Sequence, residues 1–230
     1  METVAIVVAA GKGTRFGGET PKPLVELGGI PLMVHCLRTL NQSRWIDNIV
    51  LVTSQELITT CEKEIIPKYS LNRIDQVIEG GKERQNSVMA GLKSLNKPPQ
   101  YVLIQDAARP FLTDSMIEQT LVAAKEHGGA VIATKVIDTI KETDDNLIVQ
   151  KTIPRDNLWS VQTPQVFNYS ILIAAYQWAF DNHMKVTDDA GMVEQYEKPV
   201  KLVPGPIDNI KITTQEDLKL AELILKQNNK

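Results

Sequence analysis

Cysteine is nearly missing from this chain: Cys36 and Cys61 are the two thiols in 230 residues. Two thiols that far apart make neither a CxxC pair nor a disulfide framework. A reducing compartment is expected, and both read as small packing residues. Histidine is almost as scarce. His35, His127 and His183 fall outside every motif described below, so they read as ordinary helix or loop residues. No apolar run approaches the ~20 residues of a membrane span. The N-terminus carries an acid and a strand pattern in place of a basic region followed by an apolar one, which leaves the cytoplasm as the expected location. Net charge is lacking too: 25 Lys and Arg against 28 Asp and Glu give −3. That argues against a general nucleic-acid or membrane surface, so basic residues must act locally. Internal repeats and low-complexity linkers are also absent.

What is present is alternation. Short apolar, β-branched runs at Val4–Val8, Asn48–Thr53, Ile74–Ile78, Tyr101–Gln105 and Ala130–Val136 suit strands buried on both faces. Helical patterns separate them at Pro31–Leu40, Gln85–Leu95 and Asp114–His127, the first opening on proline. Such alternation predicts an α/β fold, a mostly parallel sheet covered by helices. The pattern breaks after Val136. Residues 137–159 hold two runs of β-formers around an acidic turn, Glu142–Asn146, and read as a hairpin arm leaving the main body. A lone hairpin is marginal in water, so the arm should pack on something, such as a second copy of the chain. Helices near Ser170–Phe180 and Asp188–Tyr196, strands near Val200–Val203 and Asn209–Ile212, and a helix from Thr214 follow. The expected organisation is one domain, 1–230, with a protruding arm.

The segment "AIVVAAGKGTRFGGETPKPL", Ala5 to Leu24, places four glycines and three cations after a strand. Glycines let backbone N–H groups approach a ligand closely, and a loop of this kind commonly holds phosphate. Two common readings fail. A dinucleotide fingerprint needs glycine where Phe16 stands, and Gly11-Lys12-Gly13-Thr14 lacks the order of a Walker A loop.

"AAGKGTRFGGETPKPLVELGGIPL" resembles the signature loop of nucleotidyltransferases that activate sugars and polyols, most closely the 2-C-methyl-D-erythritol 4-phosphate cytidylyltransferase family. "EGGKERQNSV", "QDAARPF", "PRDNLWSVQTPQVF" and "DNIKITTQEDL" resemble that family in the same order and cover nearly the whole chain. The ribitol-5-phosphate cytidylyltransferase family shares most of these blocks; Ala9-Ala10 and Asp208-Asn209 look more like the erythritol enzyme. A non-catalytic nucleotide-sugar binding module is the competing reading from another class. It is disfavoured by the presence of Arg15, Lys22 and Lys211 together.

The resemblance implies a Rossmann-like twisted sheet with helices on both faces. The implied reaction joins a polyol phosphate to the α-phosphorus of CTP and releases pyrophosphate. It implies Arg15, Lys22, Arg155 and Lys211 as catalytic cations. Ala9, Ala10, Gly11, Gly81, Ser87, Asp106 and Ala107 are implied as CTP contacts. Position 82 is lysine where the family often carries an acid, so only backbone contacts are expected there. Asp138, Thr139, Arg109, Arg155 and Lys211 are implied for the polyol phosphate. The arm is implied to reach into a partner subunit's site, giving a homodimer. Mg²⁺, or another divalent cation, is expected on Asp106 and Asp208 with the phosphates. Read alone, Asp106 also suits a helix cap or a partner of Arg109, and Asp208 a plain turn residue.

Overall fold

The computed structural model describes residues 2–11, 13, 16–18 and 20–228. The elements run β1 (Thr3–Val8), a 3₁₀ turn at Lys22–Leu24, β2 (Glu26–Leu27), β3 (Ile30–Pro31), α1 (Leu32–Gln42), β4 (Asn48–Thr53) and α2 (Gln55–Thr60). The α2 helix continues through a π-turn, Cys61–Ile65, into α3 (Ile66–Lys68). Then come β5 (Ile74–Glu79), α4 (Arg84–Ser94), β6 (Tyr101–Asp106), α5 (Asp114–His127), β7 (Gly129–Lys135), β8 (Ile140–Thr143) and β9 (Val149–Ile153). The chain ends with β10 (Trp159–Asn168), α6 (Tyr169–Asp181), α7 (Asp189–Gln195), β11 (Lys201–Pro204) and α8 (Gln215–Asn228).

Seven strands form one sheet in the order β11-β7-β10-β6-β1-β4-β5. Every neighbouring pair is parallel except those made by β10, which runs antiparallel between β6 and β7. Four of the five apolar runs that read as doubly buried are so: β1, β4, β6 and most of β7 are buried along their length. The fifth, β5, lies at the sheet edge and has no buried residue, because no strand covers its outer side. Two layers cover them. One packs α1 and α5 through Leu37, Leu40, Ile117 and Leu121. The other packs α4, α6 and α7 through Val88, Leu92, Tyr176 and Val193. A smaller cluster, Phe16, Leu27, Leu32, Ile212 and Ala221, pins the loop after β1 to the C-terminal segment. Local signals behave as physical chemistry demands at α5. Thr113 caps its start by accepting from the Met116 N–H, and Gly128 ends it at φ 85°. Cys36 and Cys61 are unpaired and buried in the core.

Two expectations need correction. Asn209–Ile212 is not a strand. Its polar groups bond to loops instead: the Asn209 side chain donates to Gln162 Oε1 and the Thr163 carbonyl, and Ile212 N–H donates to the Ala108 carbonyl. Residues 159–168, unassigned from the pattern, form a central strand. Pro164 would ordinarily argue against that, but the register shifts between Val161 and Gln165, and such an irregularity is where a sheet tolerates proline. The arm is present as an antiparallel pair, β8 with β9, that joins no other sheet. Its Ile137, Leu147, Ile148 and Val149 are exposed, Leu147 at 82%. Among the described residues no helix is long and apolar enough to cross a membrane.

Candidate active site

A cavity of about 720 Å³ opens at the carboxyl ends of β1 and β6, where ligands bind in open α/β sheets. Its described wall is built from four stretches: 8–11 with Gly13 at the end of β1, 22–23 in the turn that follows, 81–84 with Ser87 entering α4, and 106–108 at the end of β6; Leu32, Lys211 and Thr213 add to it.

Each stretch is held by its own backbone. Ala9 N–H donates to the Val52 carbonyl at 2.7 Å and Ala107 N–H to the Val8 carbonyl at 3.1 Å, so both loops continue the sheet's hydrogen bonding. The 80–87 loop closes on itself. Gly81 N–H donates to Ser87 Oγ at 3.1 Å, and Glu83 and Asn86 cap α4 reciprocally. Lys22 Nζ donates to the Ile212 carbonyl at 3.0 Å, tying the glycine loop to the C-terminal segment. Asp217 holds the start of that segment's helix by accepting from Thr213 N–H and Oγ1 and from Thr214 N–H.

The electrostatic centre is Asp106, buried at the end of β6. Arg84 Nε donates to its Oδ1 at 3.0 Å and Lys211 Nζ to its Oδ2 at 2.5 Å. Burial alone would push the carboxyl's pKa up; the two cations outweigh it and hold the group well below the usual carboxylate range. Arg84 is itself shared: its second edge donates to Asp189 Oδ2 at 2.7 Å, and the two carboxylates outweigh burial to raise its pKa.

Ala9, Ala10, Gly11, Lys22, Gly81, Ser87, Asp106, Ala107 and Lys211, all singled out from the sequence, meet at this wall. Arg15 lies outside the described residues. Arg109 is not at the wall, and it is not the partner of Asp106: its guanidinium donates to the Asn209 carbonyl at 2.7 Å, while Asp106 takes Arg84 and Lys211. Asp138, Thr139 and Arg155 are exposed on the arm and outside the wall, with Arg155 donating to the Ile137 carbonyl. Asp208 is likewise exposed and outside it, so the expected pair of acids does not meet at the wall. Among the described residues no three His, Cys, Asp or Glu side chains gather as a metal cluster. Asp106 on its own still fits Mg²⁺, which accepts one carboxylate when phosphate oxygens and water supply the rest. Sequence reasoning missed Arg84, Asp189 and Tyr176. Arg84 sits inside the quoted "EGGKERQNSV" block, but nothing local marks its partner 105 residues away.

The IspD family model, described as 2-C-methyl-D-erythritol 4-phosphate cytidylyltransferase, matches residues 3–227. The chain belongs to this family. A protein of that name from Alkaliphilus oremlandii (strain OhILAs) is 41% identical over 225 residues, covering 98% of this chain and 95% of the relative. One from Clostridium novyi (strain NT) is 42% identical over 221 residues, covering 96% and 95%. The crystal structure of 4-diphosphocytidyl-2C-methyl-D-erythritol synthase from Anaerococcus prevotii DSM 20548 superposes with a TM-score of 0.86 at 34% identity. It covers 98% of this chain and 96% of that one. Cavity, arm and all but the last residue of the C-terminal helix fall within the residues matched to the IspD family.

Proposed function

We propose that this chain joins CTP and 2-C-methyl-D-erythritol 4-phosphate to give 4-diphosphocytidyl-2-C-methyl-D-erythritol and pyrophosphate, a step of isoprenoid precursor synthesis by the non-mevalonate route. Family membership supports the activity. The observation that carries it is the cavity itself. Glycine backbone, the cations Lys22 and Lys211, and the carboxylate of Asp106 line one cavity, a set that suits a nucleoside triphosphate meeting a second anion.

The chemistry needs little from the protein beyond placement. The nucleophile is a phosphate oxygen, mostly ionised at pH 7 because its second pKa is about 6, so no general base is required. Three histidines outside the cavity wall agree with that economy. The backbone at 9–11 and at Gly81, with Ser87, takes the base and ribose end; close approach of backbone favours a pyrimidine over a larger purine. Lys22 and Arg15 face the triphosphate and oppose the charge that builds on the α-phosphate and leaving group. Lys211 aims the attacking phosphate. Asp106 would hold Mg²⁺, or another divalent cation, together with the phosphates, and the charge it supplied would neutralise part of theirs.

Arg155, Asp138 and Thr139 serve the polyol phosphate from the arm of a partner subunit, in a homodimer. Support comes from the arm's position: it pairs only with itself, exposes Leu147 and Ile148, and contributes nothing to its own chain's cavity wall. Arg109 acts behind the wall by bracing Asn209. The cytoplasm is part of the same reading. The test is pyrophosphate release from CTP with methylerythritol phosphate, ribitol 5-phosphate or no acceptor, over a Mg²⁺ titration. The expected result is the higher kcat/KM with methylerythritol phosphate. A preference for ribitol phosphate moves the chain to the neighbouring activity, and release with neither acceptor leaves a binding module.

A further inference from the structure

From Arg84 at the cavity wall, a row of polar groups runs inward from Asp106 that the reaction as described does not use. Arg84 opens α4 with its side chain 24% exposed. Its Nε meets Asp106, and its other edge meets Asp189, whose side chain is fully buried. The second oxygen of Asp189 accepts from the hydroxyl of Tyr176, itself buried within α6. Asp189 is the first residue of α7, and that turn is strapped down. Asp188 accepts from Gly191 N–H at 3.0 Å. Gln165 of β10 donates to Asp188 at 2.9 Å and accepts from Ala190 N–H at 3.0 Å.

Burying an ion pair is weak evidence for stability, because well-packed apolar residues often do as well. Its use here is geometric. A guanidinium is a planar fork, so fixing one edge fixes the other. Asp189 therefore dictates where Nε of Arg84 points, and with it Oδ1 of Asp106. The partner of Oδ2 is of another kind: Lys211 is a point charge on a flexible stem, with its side chain 37% exposed. Asp106 thus has one rigid partner and one exchangeable partner.

We propose that Asp189, braced by Tyr176, is a positioning residue for the transfer reaction. It locks Arg84, and through Arg84 it keeps Asp106 in one orientation when Lys211 leaves to meet the incoming phosphate. This inference rests on the functional reading above, in which Asp106 faces CTP and Lys211 the acceptor.

The experiment is a double-mutant cycle on the full chain: wild type, Asp189→Asn, Asp106→Asn and the double variant. CTP affinity is read by calorimetry and kcat/KM by pyrophosphate release. Asp189→Asn should lose ~10- to 100-fold in kcat/KM, as supporting partners of a site residue do, and should weaken CTP binding. In the Asp106→Asn background the same substitution should add less than about 3-fold, because its route to the site is already cut. A purely structural role would instead carry its full loss into both backgrounds and would overturn the proposal, as would an Asp189→Asn protein within about two-fold of wild type. Should Asp189→Asn fail to fold, Tyr176→Phe removes one hydrogen bond from the same carboxylate with little change of shape. It should show a loss of several-fold that again vanishes beside Asp106→Asn; unchanged kinetics overturn the proposal. A wild type that releases no pyrophosphate with either acceptor takes the functional reading down along with this one. An active wild type with independent substitutions overturns the positioning alone.

Discussion

Two glycines at the proposed cytidine end of the cavity should respond oppositely to the same added methyl group. A Cβ on Gly80 would sit 2.3 Å from the Cβ of Ala10 and 2.8 Å from Ser87 Oγ, whereas ordinary contact begins near 3.4 Å. The methyl is caught between the loop after β1 and the start of α4, so one of them must retreat by about 1 Å. Overpacking of this kind costs ~1–3 kcal/mol. For a chain of this size that is a fall in Tm of about 2–12 °C. Ala10 and Ser87 both line the cavity, so the displacement reaches the ligand, and a misplacement of ~1 Å is worth about 10²-fold in kcat/KM.

Gly11 is the contrast. It also lines the cavity, but a Cβ there meets no atom within 4 Å among the described residues. Gly11→Ala should therefore melt no lower than wild type, and up to about 4 °C above it, while its KM for CTP rises, because the methyl occupies space meant for the nucleotide. The unfolded-chain entropy gain of ~0.4–1 kcal/mol applies to both variants and leaves their order unchanged. Thermal melts by circular dichroism and pyrophosphate release over a CTP range give both readouts. If Gly80→Ala melts and turns over like wild type, the two loops do not pack as described. If Gly11→Ala binds CTP normally, the nucleotide does not lie against Gly11.

Lys22→Ala and Lys211→Ala should each cost ~10²-fold in kcat with the fold retained, as loss of one transition-state cation does; turnover within a few-fold of wild type would remove that residue from the phosphate site. Asp106 is held below its ordinary pKa of 3.8, so its pairing contributes stability that is fully present above about pH 4 and lost as pH falls further. Asp106→Asn should accordingly flatten the acid side of a plot of Tm against pH, and an unchanged acid limb would mean the carboxylate is not paired in solution. Burial pushes the thiols of Cys36 to about 12 and Cys61 to about 11, so iodoacetamide at pH 8 should label neither until the protein unfolds; labelling of the native chain would contradict their packing. Mixing inactive Lys22→Ala and Arg155→Ala subunits under exchange should restore activity toward about a quarter of wild type, because half the dimers are mixed and each has one intact site. Zero activity after verified exchange would put Arg155 in its own subunit's site.

The fold was largely legible because its signals are local. Runs such as "AIVV" and "YVLI" are apolar along every position since both faces of the sheet are covered, and the helices between them carry one apolar stripe each. Failures came where tertiary context overrode the local signal. The "NIKI" stretch alternates like a strand, but Asn209 is drawn into the irregular part of β10 and Ile212 into a bond with Ala108, so its polar groups bond to loops and not to a neighbouring strand. In β10 the proline hides a strand whose hydrogen bonds resume on either side of the irregularity. Neither outcome is visible without knowing which strand lies alongside.

The same distinction divides the site. The place of Gly11 and Gly81 in the cavity wall is readable because glycine at a strand end has few other uses, and that of Asp106 because it ends a central strand. The arginine that holds Asp106 is not readable in that way. Arg84 looks like any polar first-turn residue of a helix, and Asp189 looks like an acid beside a helix cap, which it also is. Their meaning comes from the cavity, where the end of β6 meets the start of α4, and from β10, whose Gln165 holds the α7 turn where Asp189 reaches Arg84. A carboxylate without solvent must find its cation in space, whatever the separation in the chain. That requirement makes Asp189 informative once the structure is in hand: the groups least marked in the sequence are those whose burial leaves them the fewest alternative partners.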